Sequence, residues 1–87
     1  MVESTVMKVT VKLFASFREA AATPQRDVEV EPGTTIEQLW GEIVEQHPRL
    51  APLSRNAGFA LNGRYTQPAT TLAEGDTVAF LPPVSGG

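Results

Sequence analysis

The residues with the clearest chemical use stand at the end of the chain. Pro82-Pro83-Val84-Ser85-Gly86-Gly87 closes the 87-residue sequence on two glycines and a carboxylate. At an average glycine usage of about 7%, a final Gly-Gly arises by chance in roughly one chain in two hundred. Its context adds weight. Pro82-Pro83 cannot donate ladder hydrogen bonds, so a sheet must end there, and paired prolines favour an extended backbone. The six residues, at about 3.3 Å each, reach roughly 20 Å, far enough to enter another protein's active site. Glycines pass a narrow channel and take φ/ψ values that other residues avoid. A carboxylate so presented is a poor acyl donor until it is activated, for example as an acyl-adenylate. Once activated, it can be attacked by sulfur to give a thiocarboxylate. The bland alternative is a frayed terminus.

Little else in the sequence offers chemistry. There is no cysteine, which removes disulfides, Fe–S clusters, thiolate zinc sites and a cysteine nucleophile together. Any sulfur the protein handles must therefore ride on something other than its own thiol. His47 is the single histidine, and a place at a helix end before Pro48 explains it without catalysis. Glu29 and Glu31 are spaced like paired carboxylates, but strand alternation makes them a solvated face. Asn62-Gly63 is turn chemistry rather than a phosphate loop. We find no triad, no carboxylate dyad and no metal cluster, so catalytic side chains would have to come from a partner. Whether the chain counts as an enzyme stays open.

The net charge of −3 and the scattered Lys8, Lys12, Arg18, Arg26, Arg49, Arg55 and Arg64 lack the clustered basic face that nucleic acid requires. No apolar run is long enough to span a bilayer and no signal-peptide pattern precedes the domain, so the expected location is cytoplasmic, with no membrane partner.

The elements that must position the tail follow from periodicity. Residues 1–6 are expected to be a flexible leader, 7–81 a single small domain and 82–87 an extended functional tail. Met7, Val9, Val11 and Leu13 alternate with Lys8, Thr10 and Lys12, a strand with one buried face. Residues 16–22 make one or two helical turns ended by Thr23-Pro24. Asp27 to Glu31 alternates again and stops at Pro32-Gly33. Ile36, Leu39, Trp40, Ile43 and Val44 then form one apolar stripe of a helix. Thr34 and Glu37 are expected to close its capping box, and Pro48 to end it near Gln46. Leu50 and Leu53 should turn onto the core. A strand over 59–61 meets Asn62-Gly63, a type I′ hairpin signal, and returns through 64–66. Glu74-Gly75-Asp76 turns the chain into a last strand over 77–81. Strands gathered around one principal helix imply an α+β layer, a mixed sheet of about five strands wrapped over that helix. Phe14 and Leu81 fall on the parity opposite to the core residues of their strands. With Tyr65 they form a candidate partner surface. Arg18 is either a polar contact of that surface or an ordinary exposed residue.

With these residues in view, the run from Leu72 to Gly87, above all Phe-Leu-Pro-Pro-Val-Ser-Gly-Gly, resembles the end of the small subunits of molybdopterin synthase (MoaD type). Those subunits are members of the ubiquitin-like, β-grasp sulfur carriers. Lys12 to Glu19 resembles the family's first strand and short helix. The related thiamin carriers share Gly-Gly but generally lack the Pro-Pro step. The resemblance implies that a ubiquitin-activating type of adenylating enzyme uses ATP on the Gly87 carboxylate and that a sulfurtransferase completes the thiocarboxylate. The tail would then insert into the large subunit, in a heterotetramer of two small and two large subunits, and give sulfur to cyclic pyranopterin monophosphate. It further implies a Gly86-Gly87 reacting end and an interface of Phe14, Arg18, Tyr65, Leu81, Pro82, Pro83, Val84 and Ser85. It implies neither a bound cofactor nor a metal. Two alternatives remain at this level. One is a carrier for thiamin, cysteine or tRNA thiolation, or a protein modifier; the other is a plain β-grasp interaction module.

Overall fold

Alternation in the first strand places Val9, Val11 and Leu13 on a buried face, and the rest of the architecture closes over that face. The computed structural model describes residues 6–53 and 56–82. In chain order the elements are β1 (Met7–Leu13), α1 (Ala15–Ala21), β2 (Gln25–Val30), α2 (Ile36–Gln46), a 3₁₀ helix (Pro48–Leu53), β3 (Gly58–Leu61), β4 (Arg64–Tyr65) and β5 (Thr77–Leu81). They build one five-stranded mixed sheet in the order β2-β1-β5-β3-β4. The central pair β1–β5 is parallel and the other pairings are antiparallel. This is the α+β architecture expected from the order of elements.

The stripe of α2 buries Ile36, Leu39, Trp40 and Ile43 against the sheet. Trp40 is the hub. Its ring stacks on Phe80 at 4.6 Å, lies 5.0 Å from Phe17 and meets Phe59 edge-on at 6.5 Å. Truncating one such aromatic costs about 3–5 kcal/mol, comparable with the whole stability of a small domain. The helix α1 is fixed to this core by fully buried Phe17 and by Ala21.

Several local expectations change, beginning with α1, which runs over Ala15–Ala21 rather than 16–22, and β4, which ends at Tyr65 rather than at residue 66. The N-cap of α2 is Thr35, not Thr34: its hydroxyl accepts from the Gln38 amide at 3.3 Å, and the Gln38 side chain accepts from the Thr35 amide at 3.0 Å. Thr34 is engaged elsewhere, because its hydroxyl donates to the Glu31 carbonyl at 2.6 Å and closes the Pro32-Gly33 turn. That turn also ends β2 at Val30 rather than Glu31, and the strand begins earlier, at Gln25. Leu50 is fully buried, but Leu53 is 38% exposed. A 3₁₀ helix rises about 2 Å per residue, so Leu53 lies roughly 6 Å beyond Leu50, past the rim of the core.

The C-cap of α1 carries a measurable strain. Ala22 sits in the left-handed region with φ 59°, a conformation that costs an L-residue with a Cβ about 1–2 kcal/mol. Ala22→Gly should therefore stabilise the domain, even after glycine's extra chain entropy, and raise the melting temperature by about 2–6 °C. A thermal melt that falls instead would show that the cap is not strained.

Candidate functional site

The site is built on the sheet face turned away from α2. β5 alternates strictly: Val78 and Phe80 are fully buried, while Thr77, Ala79 and Leu81 point outward and are only half-buried. The registers place the outward residues in rows. Ala79 lies opposite Ala60 of β3, which lies opposite Tyr65 of β4. On its other side Ala79 pairs with Lys12 of β1. One step further along β5, Leu81 pairs with Gly58. Phe14 directly follows the Leu13↔Phe80 pair and so continues into the row of Leu81.

The outcome is a shallow apolar surface. Tyr65 (83% exposed) and Phe14 (43% exposed) stand at its two ends, with Leu81 between them. Strands lie about 4.8 Å apart, so Phe14 and Tyr65 bracket a face roughly 15 Å wide. Its middle is low because Gly58, Ala60 and Ala79 contribute little or no side chain. A Cβ on Gly58 would touch Leu81 Cβ at 3.8 Å, an ordinary contact that shows how closely the two strands' surfaces meet. Ala60, Ala79 and Gly58 were not singled out from the sequence. Their parity is readable, but their grouping depends on which strands pair.

The two aromatics are held out by backbone geometry. Asn62 and Gly63 have φ of 52° and 87°, the paired positive values of a type I′ turn, which brings Tyr65 back opposite Ala60. The hairpin is tied to β5 by Asn62, whose side-chain oxygen accepts from the Thr77 amide at 2.9 Å and whose amide donates to Asp76 Oδ1 at 3.0 Å. Phe14 is followed by Ala15 with φ 51°, a left-handed kink that turns the chain into α1 and leaves the Phe14 ring outside. Arg18 is exposed on α1, with its backbone amide bonded back to the Phe14 carbonyl at 3.4 Å.

β5 runs out of the sheet at Leu81, and half-buried Pro82 follows at the same end as Phe14. Pro83, Val84, Ser85, Gly86 and Gly87 lie outside the described residues. The opposite end of the outward face is polar, with Thr10 donating to Asp27 at 3.0 Å. Apolar surface is thus concentrated where the chain leaves for its tail. Among the described residues, no three His, Cys, Asp or Glu side chains converge as metal ligands would, and no helix is long and apolar enough to cross a membrane. The apolar surface at this end suits docking.

Residues 11–87 match the ThiS family. The molybdopterin synthase sulfur carrier subunit of Chlamydomonas reinhardtii is 37% identical over 83 residues, covering 93% of this chain and 100% of that protein. The subunit of the same name from Mycobacterium tuberculosis is also 37% identical over 83 residues, covering 94% and 100%. Among solved structures, SAMP1 from Haloferax volcanii superposes with a TM-score of 0.79 at 28% identity, over 92% of this chain and 99% of its own. The complex of subunits 1 and 2 of the molybdopterin-converting factor from Helicobacter pylori matches with a TM-score of 0.62 at 26% identity, over 93% and 100%. The ubiquitin of Caldiarchaeum subterraneum, at 18% identity and a TM-score of 0.65 over 95% and 100%, shares the β-grasp fold.

Proposed function

The chain belongs to the ThiS family, and from that premise we propose that it is the sulfur carrier subunit of molybdopterin synthase, bearing sulfur as a thiocarboxylate on Gly87. The observation that carries the reading is the whole-length kinship, at 37% identity, with proteins of that name. The outward face adds physical support, since its apolar surface gathers at the root of the tail, where a protein that accepts the tail must also bind.

The chemistry divides between the chain and its partners. An adenylating enzyme joins the Gly87 carboxylate to the α-phosphate of ATP and releases pyrophosphate. Hydrosulfide, released from a sulfurtransferase persulfide by a thiol reductant, attacks the acyl carbon, AMP leaves, and one oxygen has been replaced by sulfur. In the large subunit the thiocarboxylate sulfur forms a C–S bond to a side-chain carbon of cyclic pyranopterin monophosphate as a C–O bond at that carbon breaks, the oxygen leaving as water or remaining on the opened phosphate. Hydrolysis of the resulting acyl bond leaves the sulfur on the pterin and returns Gly87 as a carboxylate. A dithiolene holds two sulfurs, so two loaded tails are consumed for each one made. The chain contributes reach, a slender Gly86-Gly87 end and the docking face of Phe14, Tyr65 and Leu81, with Arg18 at its border and Pro82 to Ser85 as the arm. The large subunit as partner is supported by the two-subunit complex among the structural relatives.

A second reading draws on the likeness to SAMP1, a small archaeal modifier protein. It keeps the activated Gly87 but sends it to lysine amines as an isopeptide. The two are separated by reconstitution. Loaded protein, a molybdopterin synthase large subunit and cyclic pyranopterin monophosphate should yield the dithiolene product. Isopeptide-linked protein with no dithiolene formed would favour the modifier.

A further inference from the structure

The opposite edge of the sheet carries a second surface. β2 is the outermost strand there. Leu13 donates its amide to the Pro24 carbonyl at 2.9 Å, and opposed residues in an antiparallel pair alternate between exchanging hydrogen bonds and not. With Val11 opposite Arg26 and Val9 opposite Val28, the backbone groups of Arg26, Val28 and Val30 are committed to β1. Those of Gln25, Asp27 and Glu29 therefore point to the open edge.

Below this edge a groove of about 460 Å³ runs between β2 and α2. Its floor is Val28, Leu39 and Ile43, and its rim includes Asp27, Glu29 and Glu42. A further hollow of about 440 Å³ shares Glu29 and Glu42 and extends it toward Glu31. Four carboxylates thus line the two hollows against the cations Lys8 and Arg26, and the Arg26 guanidinium lies 3.4 Å from His47 Nε2. Among the described residues, no side chain takes up the carboxylates of Glu29, Glu31 or Glu42.

A second copy of the chain is the wrong occupant. Two β2 strands related by a two-fold axis through the sheet must oppose residues of the same parity. Centring the pair on Val28 sets Asp27 against Glu29; centring it on Asp27 or Glu29 sets each against itself. Like charges directly opposed are destabilising, so the edge repels its own kind. Phosphate-rich partners are repelled as well. An extended cationic segment is the complement, because it satisfies the open amides and the unpaired carboxylates together.

We propose that the β2 edge and the groove beneath it dock an extended segment of another protein by strand addition, with basic side chains beside Asp27 and Glu29 and alternating apolar side chains over Val28, Leu39 and Ile43. The surface is separated from the Tyr65 end of the tail-root face by β1, β5 and β3, so both can be occupied at once. It stands independently of the sulfur-carrier reading.

The probe is a synthetic seven-residue peptide alternating lysine and valine, titrated into the full isotope-labelled chain and followed by amide NMR shifts. Shifts should concentrate on Gln25–Val30 and on residues 39–46, and weaken as salt is raised. Glu29→Lys and, separately on the helix, Glu42→Lys should each weaken binding by about tenfold. A proline at the centre of the peptide should cost a similar factor, because it removes a ladder donor. The proposal is overturned by equal binding of a glutamate–valine peptide, by indifference to the proline, by shifts on the Tyr65 and Leu81 face instead, or by no binding. Self-association of the free chain through β2 would overturn it too.

Discussion

Deleting Gly87, or adding one residue after it, should all but abolish sulfur loading while leaving the fold intact. Deletion draws the terminal carboxylate back by about 3.3 Å, and a misplacement of about 1 Å at a reacting centre already costs on the order of 100-fold. Addition turns the Gly87 carboxylate into an amide and leaves a bulkier end. Loading is expected to drop by more than about 100-fold in both variants. Neither change reaches the core, because no buried residue among those described lies beyond Phe80. Unaltered thermal melts with lost loading would remove the reading of the chain as a plain interaction module. Loading that survives the deletion would remove the role of Gly87.

The second large effect concerns docking. Leu81→Lys should weaken the complex with the large subunit by about 2–4 kcal/mol, roughly 30-fold to 700-fold in Kd, because a charge would be desolvated without a partner. Leu81 lies on the outward face, half-buried and opposite Gly58, so lysine there can keep its ammonium in water in the free chain. The free domain should accordingly lose no more than about 1 kcal/mol. Calorimetric titration of the large subunit with each form reads the difference. An unchanged Kd would mean that the partner engages the tail without this face.

The alternating strands and the stripe of α2 were legible because periodicity reports which face is buried, and burial dominates their stability. The outward parity of Phe14 and Leu81 was legible for the same reason. The cap of α2 was not. Thr34-x-x-Glu37 and Thr35-x-x-Gln38 are overlapping capping-box frames of similar local merit. The choice is made by distant chain: the amides of Ile36 and Glu37 donate to the carbonyls of Thr70 and Pro68, and Leu72 donates to the Thr34 carbonyl. Those bonds, with the Thr35↔Thr71 bridge, pin the helix start one residue later. Nor could local pattern gather Gly58, Ala60 and Ala79 under Tyr65 and Leu81, since that requires β5 to lie between β1 and β3. The acidic β2 edge shows the same limit. Asp27, Glu29 and Glu31 read as a solvated face, and only the sheet order reveals that their strand is an open edge above a groove.

The central claim is that sulfur is carried on Gly87, and intact mass measures it most directly. The protein is incubated with ATP, the adenylating enzyme and a sulfur source, then weighed whole and after fragmentation. The account predicts a gain equal to the difference between one sulfur and one oxygen, located on the terminal residue and dependent on ATP. An unchanged mass, or a gain placed anywhere other than Gly87, would contradict it.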